Sequence, residues 1–206
     1  RRVLFRSKTT LLPRDLDGNA VNGPEAFYDT ALNITWLRNA TMYGNWSAAN
    51  TWANTLLVGG IGGWRLPTMV DTGTPGCNDA YGGTDCGFNV QTATSELAHL
   101  WYVTLGNKAL YDTAGNTQPG WGKTNTGDFE YMGNAYWSGL GYAPDPGRAW
   151  YFWTWAGEQT SQSKTTWSGA LAVHTGDVAP VPEPQTYALM LMGISALVLA
   201  LRRRPR

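Results

Sequence analysis

Ala149-Trp150-Tyr151-Phe152-Trp153-Thr154-Trp155 is nearly all aromatic, and its reading decides the fold. As a strand it places Trp150 and Phe152 on one face and Tyr151, Trp153 and Trp155 on the other, because successive side chains alternate across a sheet. Both faces must then be covered, or one of them is a binding surface. Outward from this stretch, residues 26–28, 34–37, 135–138 and 170–174 also read as strands, the last with Leu171 and Val173 on one side. Two segments carry helical periodicity instead. Over residues 47–57, Asn45 or Ser47 can cap, Ala49, Trp52 (or Ala53) and Leu56 share a face, and Gly59-Gly60 ends the run. Around residues 94–105, Thr94 or Ser95 caps and Glu96 complements the helix dipole. Leu97, Leu100, Trp101 and Leu105 form its stripe, and Gly106 stops it. Helices in the first half followed by strands in the second predict an α+β domain.

Composition narrows the function classes. The chain has 206 residues, with 25 Gly and 11 Trp, a mixture suited to short strands and long ordered loops. So many tryptophans exceed the needs of one core, and some are expected on exposed loops; Trp36, Trp137 and Trp150 read as core. The charges balance at 15 basic and 15 acidic residues overall, but the arginines concentrate at the two ends. Residues 9–180 hold seven basic and fourteen acidic groups, a net of −7, which argues against nucleic acid or sulfated polyanions as partners. Cys77 and Cys86 share one Gly/Asp/Thr-rich loop and are expected to form a disulfide. Closing so short a loop is worth roughly 2 to 3 kcal/mol in the chain-entropy account.

The C-terminus has three parts in fixed order: Val181-Pro182-Glu183-Pro184, an uncharged apolar run over residues 187–201, and Arg202, Arg203, Arg204 and Arg206. The run is slightly short of the ~20 residues of a straight membrane-crossing helix, but flanking arginines can snorkel. A transmembrane helix is therefore expected at 187–201. The basic end at 202–206 would be cytoplasmic, with everything before Pro182 outside. Two prolines keep the preceding segment extended and helix-free, and residues 179–186 read as a stiff linker. The arrangement resembles the PEP-CTERM sorting tail, which implies processing by an exosortase, transient anchoring in the inner membrane, and delivery to the outer surface or matrix of a Gram-negative cell that makes exopolysaccharide. At the other end, Arg2-Val3-Leu4-Phe5-Arg6-Ser7 is the translation of a short-read sequencing adapter. Residues 1–9 are accordingly expected to be non-native, with the true start and its secretory leader lost.

Between these ends, residues 10–178 read as one extracellular domain. Phe27-Tyr28-Asp29-Thr30, Leu32-Asn33-Ile34-Thr35-Trp36-Leu37, Trp64-Arg65-Leu66-Pro67-Thr68, Ala135-Tyr136-Trp137-Ser138-Gly139, Ala149-Trp150-Tyr151-Phe152 and Ala170-Leu171-Ala172-Val173 occur in one order. Together they resemble the family typified by the C-terminal domain of the Lcl collagen-like adhesin. That resemblance implies a C-type-lectin-like fold, related to the formylglycine-generating group, with two helices and a small twisted antiparallel sheet with long loops. The chain departs from the pattern at His174, where the family has Arg, and at Gly139-Leu140-Gly141, so the resemblance carries fold but not ligand.

No catalytic constellation is legible. His99 and His174 are the two histidines; His99 lies beside an apolar stripe, and no nucleophile elbow, zinc-protease motif or phosphate loop is present. A cysteine-pair oxidase like the fold relatives is disfavoured, because Cys77 and Cys86 precede the second helix. Asp15, Asp17 and Asn19 alternate as calcium ligands do but lack a downstream bidentate Glu, and a polar turn on Asp17-Gly18 is the plainer account of them; no cofactor is expected, calcium at this turn being the one candidate. The reading is a non-enzymatic, exported carbohydrate-binding or adhesion module. Trp153, Trp155, Tyr142 and His174 are its candidate ligand face, and a neutral polysaccharide its partner. The alternative is a purely structural or protein-binding envelope protein.

Overall fold

The structure, a computed structural model, describes residues 10–19, 21–72, 79–178 and the single positions 192 and 194. Four strands precede the first helix: β1 (Leu11–Arg14), β2 (Ala26–Asp29), β3 (Ile34–Leu37) and β4 (Met42–Gly44) lead into α1 (Trp46–Thr55). Next come β5 (Trp64–Arg65), β6 (Gly87–Phe88) and α2 (Glu96–Ala98), which continues into a π turn at His99–Thr104. Five strands complete the domain: β7 (Tyr136–Gly141), β8 (Arg148–Trp153), β9 (Glu158–Ser163), β10 (Ser168–Ala170) and β11 (Val173–Thr175).

These strands form two sheets, one of five strands in the order β1-β2-β3-β11-β5 and one of six in the order β4-β10-β7-β8-β9-β6. All pairings are antiparallel except β10 with β7. The α+β, C-type-lectin-like expectation is thus overturned. The fold is mostly β, in two sheets, with two short helices instead of helices packed on one small sheet. The physical reason lies in strand length and polarity. Several strands have only two or three residues, too few to show a period, and β9 is the polar run Glu158-Gln-Thr-Ser-Gln-Ser. The fold expectation also included a transmembrane helix. No helix among the described residues is long and apolar enough to cross a membrane. The segment 187–201 lies outside the described residues except at Met192 and Ile194, and so do residues 1–9, 179–186 and 202–206.

The single strand expected at 170–174 is two strands. Ala170 ends β10 in the six-stranded sheet, and Val173 begins β11 in the five-stranded one. Leu171 and Ala172 carry the chain between sheets, both buried, with Leu37 N–H bonded to the Ala172 carbonyl at 2.9 Å. One core joins Trp36 and Val173 with Tyr136 and Phe152 from the other sheet and with Leu97, Leu100 and Trp101 from α2 and the π turn. A second lies beneath α1, where Ala49 and Ala53 pack with Trp64, Trp137, Ala170 and Ala172.

Both helices start as their capping residues dictate. The Asn45 side chain accepts from Ala48 N–H, and that of Ser95 accepts from Ala98 N–H. After α2 the backbone widens, with Leu105 N–H reaching the Leu100 carbonyl five residues back at 2.9 Å, and Gly106 at φ +67° ends the segment. Arg65 of the Trp64-Thr68 segment makes a two-pronged ion pair with Glu96 at 2.7 and 2.8 Å, while Glu96 also accepts from Thr68 N–H at 2.7 Å. Arg14 clamps Asp177 in the same manner at 2.6 and 2.7 Å, holding the first strand beside the last described turn and keeping the Asp177 carboxyl below the ordinary range.

Candidate functional site

At the β4 edge of the six-stranded sheet the surface opens into a cleft of about 550 Å³. Its position follows from side-chain parity. Tyr43 of β4 pairs with Gly169 of β10, and Gly169 pairs in parallel with Tyr136 of β7, so the three share one face. Gly169 has no side chain to fill the space between the two tyrosines. A Cβ there would lie 2.7 Å from the Ala135 carbonyl oxygen and 3.1 Å from the Tyr136 ring, so this floor admits only glycine without displacement.

Three large aromatic residues rise around that floor. Tyr43 and Trp167 are each 63% exposed and Tyr131 60%, unusual for such side chains. The Tyr43 and Trp167 rings lie 6.1 Å apart and inclined at 54°, forming two walls of an open trough. Asn134 and Thr41 supply polar groups at the rim, and among the described residues no charged side chain lines the cleft. Burial pushes the Tyr136 hydroxyl up to about 12, so the floor stays neutral at every physiological pH. That hydroxyl accepts from Gly133 N–H at 2.5 Å.

The expected ligand face, in contrast, is dispersed. Trp153 and Trp155 do come together, with ring centroids 5.3 Å apart, and Trp121 meets Trp155 edge-on at 5.1 Å. Tyr142 is buried against Trp150 at the opposite end of β8, where its N–H bonds the Arg148 carbonyl. His174 lies in the other sheet, half-buried and edge-on to Trp64 at 5.8 Å, with an unpartnered Nδ1. His99 is on the π turn, its Nε2 buried without a partner. Reasoning from sequence missed Tyr43, Tyr131 and Trp167. The one local signal available is a large aromatic beside Gly, Ser or Thr in a turn-rich stretch, as in Tyr43-Gly44 and Thr166-Trp167-Ser168-Gly169.

Asp15 and Asp17 belong to an exposed turn in which Asp15 accepts from Gly18 N–H, and Asp17 accepts from Asn19 N–H and the Asn22 amide. These bonds hold the Asp17 carboxyl below its usual range. Asn19 accepts from Val21 N–H. The fold brings in Glu25, which the alternating pattern of the turn does not include: Asp15, Asp17 and Glu25 each place a carboxylate oxygen within 4.8 Å of the others, a group able to hold a metal ion. Glu25 meanwhile accepts from Leu16 N–H at 2.6 Å. Cys86 is disulfide-bonded, and Cys77, the other cysteine of the chain, lies outside the described residues.

Glu158 is the described carboxyl moved furthest upward. Burial, with the Asp79 charge nearby, pushes it from 4.5 to about 7. A raised carboxyl favours the proton-bound fold, so its contribution is complete below about pH 4.5 and is lost as pH rises to about 7. Glu158→Gln, which keeps the neutral shape, is therefore expected to be more stable than the parent at pH 8 and to lose that advantage at pH 4. Urea unfolding at the two pH values measures this, and an equal gap at both would refute it.

No curated protein and no solved structure matches the chain. The resemblance to the Lcl collagen-like adhesin domain accordingly has no support. Residues 180–204 match the PEP-CTERM protein-sorting motif, and that tail makes the chain an exported, exosortase-sorted protein directed to the cell envelope.

Proposed function

We propose that the exported domain is a non-catalytic carbohydrate-binding module whose trough between Tyr43, Tyr131 and Trp167 takes neutral sugar. The exposed aromatic trough over the Gly169 floor is the observation that carries the reading. Flat apolar rings present C–H-facing surfaces for sugar rings, and the polar rim offers hydroxyl partners. Because the trough is uncharged within a body of net charge −7, complementarity favours an uncharged ligand over a sulfated or phosphorylated one. An exported, envelope-directed domain is compatible with a ligand outside the cell.

A glycan array carrying neutral and sulfated sugars tests this with the purified full chain in an ether detergent, since sugar-headed detergents would compete. Retention on neutral glycans is expected. Tyr43→Ala and Trp167→Ala should each weaken it about three- to tenfold, the size of one aromatic contact. A blank array would return the domain to a structural or protein-binding role.

A further inference from the structure

Strand register gathers a second group of residues, away from the trough. Glu158 of β9 pairs directly with Trp153 of β8 on one side and with Phe88 of β6 on the other, so the three side chains share one face of the sheet. Tyr151 lies on that face too, opposite Thr160 and diagonal to Glu158, within reach of a long side chain. Trough floor and group are on opposite faces, since Tyr136 of the floor pairs with Phe152, which alternates with Tyr151 and Trp153. Phe88 is buried, edge-on to Tyr111 at 5.1 Å, while Tyr151, Trp153, Glu158 and Thr160 are all half-exposed.

In this setting the Glu158 carboxylate lacks a partner of opposite sign. Among the described residues no hydrogen bond and no ion pair reaches it. The charge bearing on it is of like sign, from Asp79, and its other titratable neighbours are the phenols of Tyr102 and Tyr151, both kept neutral by burial. Arg148 acts on Tyr151, but its guanidinium bonds Ser161, which belongs to the other face. A half-exposed, unmet carboxylate beside aromatic rings is complementary to a cation that also donates hydrogen bonds. A quaternary ammonium has no N–H to give; a protonated amine supplies both charge and donor.

We propose that this face binds a protonated amino sugar, its amine at Glu158 and its ring against Trp153. Directly paired side chains stand roughly 5 Å apart, about the breadth of one sugar ring, so a single unit meets both residues. Polar Thr160 lies alongside for the hydroxyls, and a body of net charge −7 draws a cationic polymer toward the surface. This site does not rest on the reading of the trough.

Calorimetric titration of the full chain, in ether detergent at neutral pH, compares glucosamine oligomers with N-acetylglucosamine oligomers of equal length. The amine form is expected to bind at least about tenfold tighter, the size of one charge-assisted contact with a ring beside it. Glu158→Gln, which keeps the shape and removes the charge, should erase that preference, whereas Tyr43→Ala in the trough should leave it intact. The parent supplies a check free of any folding defect. A cation at Glu158 favours its charged form, so carbon-13 NMR of the carboxyl should show its titration moving to lower pH with the glucosamine oligomer and staying in place with the acetylated one. Equal affinity for the two oligomers, or an unmoved titration, refutes the site and leaves the trough standing. A lysine oligomer that binds through Glu158 more tightly than the glucosamine oligomer would reassign the face to a basic protein and overturn the amino-sugar assignment. Should no neutral glycan be retained while the amine preference holds, the trough reading fails and this one stands.

Discussion

Trp137→Ala is expected to cost about 3 to 5 kcal/mol of folding stability, toward the upper end for a buried aromatic residue. Trp137 is completely buried in the core beneath α1, and its indole N–H donates to the Gly44 carbonyl at 3.1 Å. Its neighbours there include Ala49 and Ala53 of α1 and Ala170 and Ala172 of the inter-sheet crossing. Alanine cannot swing into a vacated space, so the cavity would stay open, and the size of the loss follows cavity volume. Trp137→Phe, which loses the N–H bond and part of the volume, should fall between. Urea unfolding followed by circular dichroism measures both, and a loss under about 1 kcal/mol for alanine would mean that the core closes over the gap.

This prediction reaches the trough as well as the core. Gly44 ends β4, and Tyr43 is the preceding residue. As the edge strand of its sheet, β4 has one strand neighbour, β10, so the Trp137 bond is a tie from outside the ladder. Loss of that tie should let Tyr43 drift relative to Trp167, and glycan retention should drop even where the variant remains folded. The Gly44 carbonyl is thus one of the joints between core and site.

The alternation of Trp150 and Phe152 inward against Tyr151 and Trp153 is legible in the sequence itself, and β8 carries it: the first two are buried and the other two half-buried. Residues 34–37 likewise form the expected strand, and Asn45 and Ser95 cap as their side chains require. Such features are local, and local chemistry is written in consecutive residues. Trp36, Trp137 and Trp150 are core, while Trp155 and Trp167 are exposed on turns, as the excess of tryptophan implies. Fold class is a different matter. Two helical periods stand out because a helix of ten residues displays its period, while β10 and β11, three residues each, display none. The trough is not legible at all. Its walls come from residues 43, 131 and 167, joined by an antiparallel and a parallel pairing across distant parts of the chain, and no short window contains them. Glu25 joins Asp15 and Asp17 for the same reason, through the β1–β2 pairing.

Replacing Pro182, Glu183 and Pro184 together by alanine is expected to abolish maturation while leaving the domain as stable as before. The sorting motif spans residues 180–204, which follow Val178, the last residue in sequence among the described members of the core beneath α1. What changes is the form in which the chain is offered to its processing enzyme. Two prolines hold their own φ near −65°, lack an N–H, and push the residue before each of them toward extended backbone. Alanine, the best helix former, would lift that restriction on the backbone and would remove the Glu183 carboxylate. Pulse-chase labelling of the exporting cell, followed by fractionation and mass measurement of the C-terminus, reads the outcome. The parent should appear as a shortened species outside the cell or in its envelope, and the variant should persist at full length, with an unchanged unfolding midpoint once purified. Processing of the alanine variant at the parental rate would mean that the apolar run and its arginines suffice. An altered midpoint would instead show that the segment 180–186 contributes to the domain, so that sorting and folding are not separable in this chain.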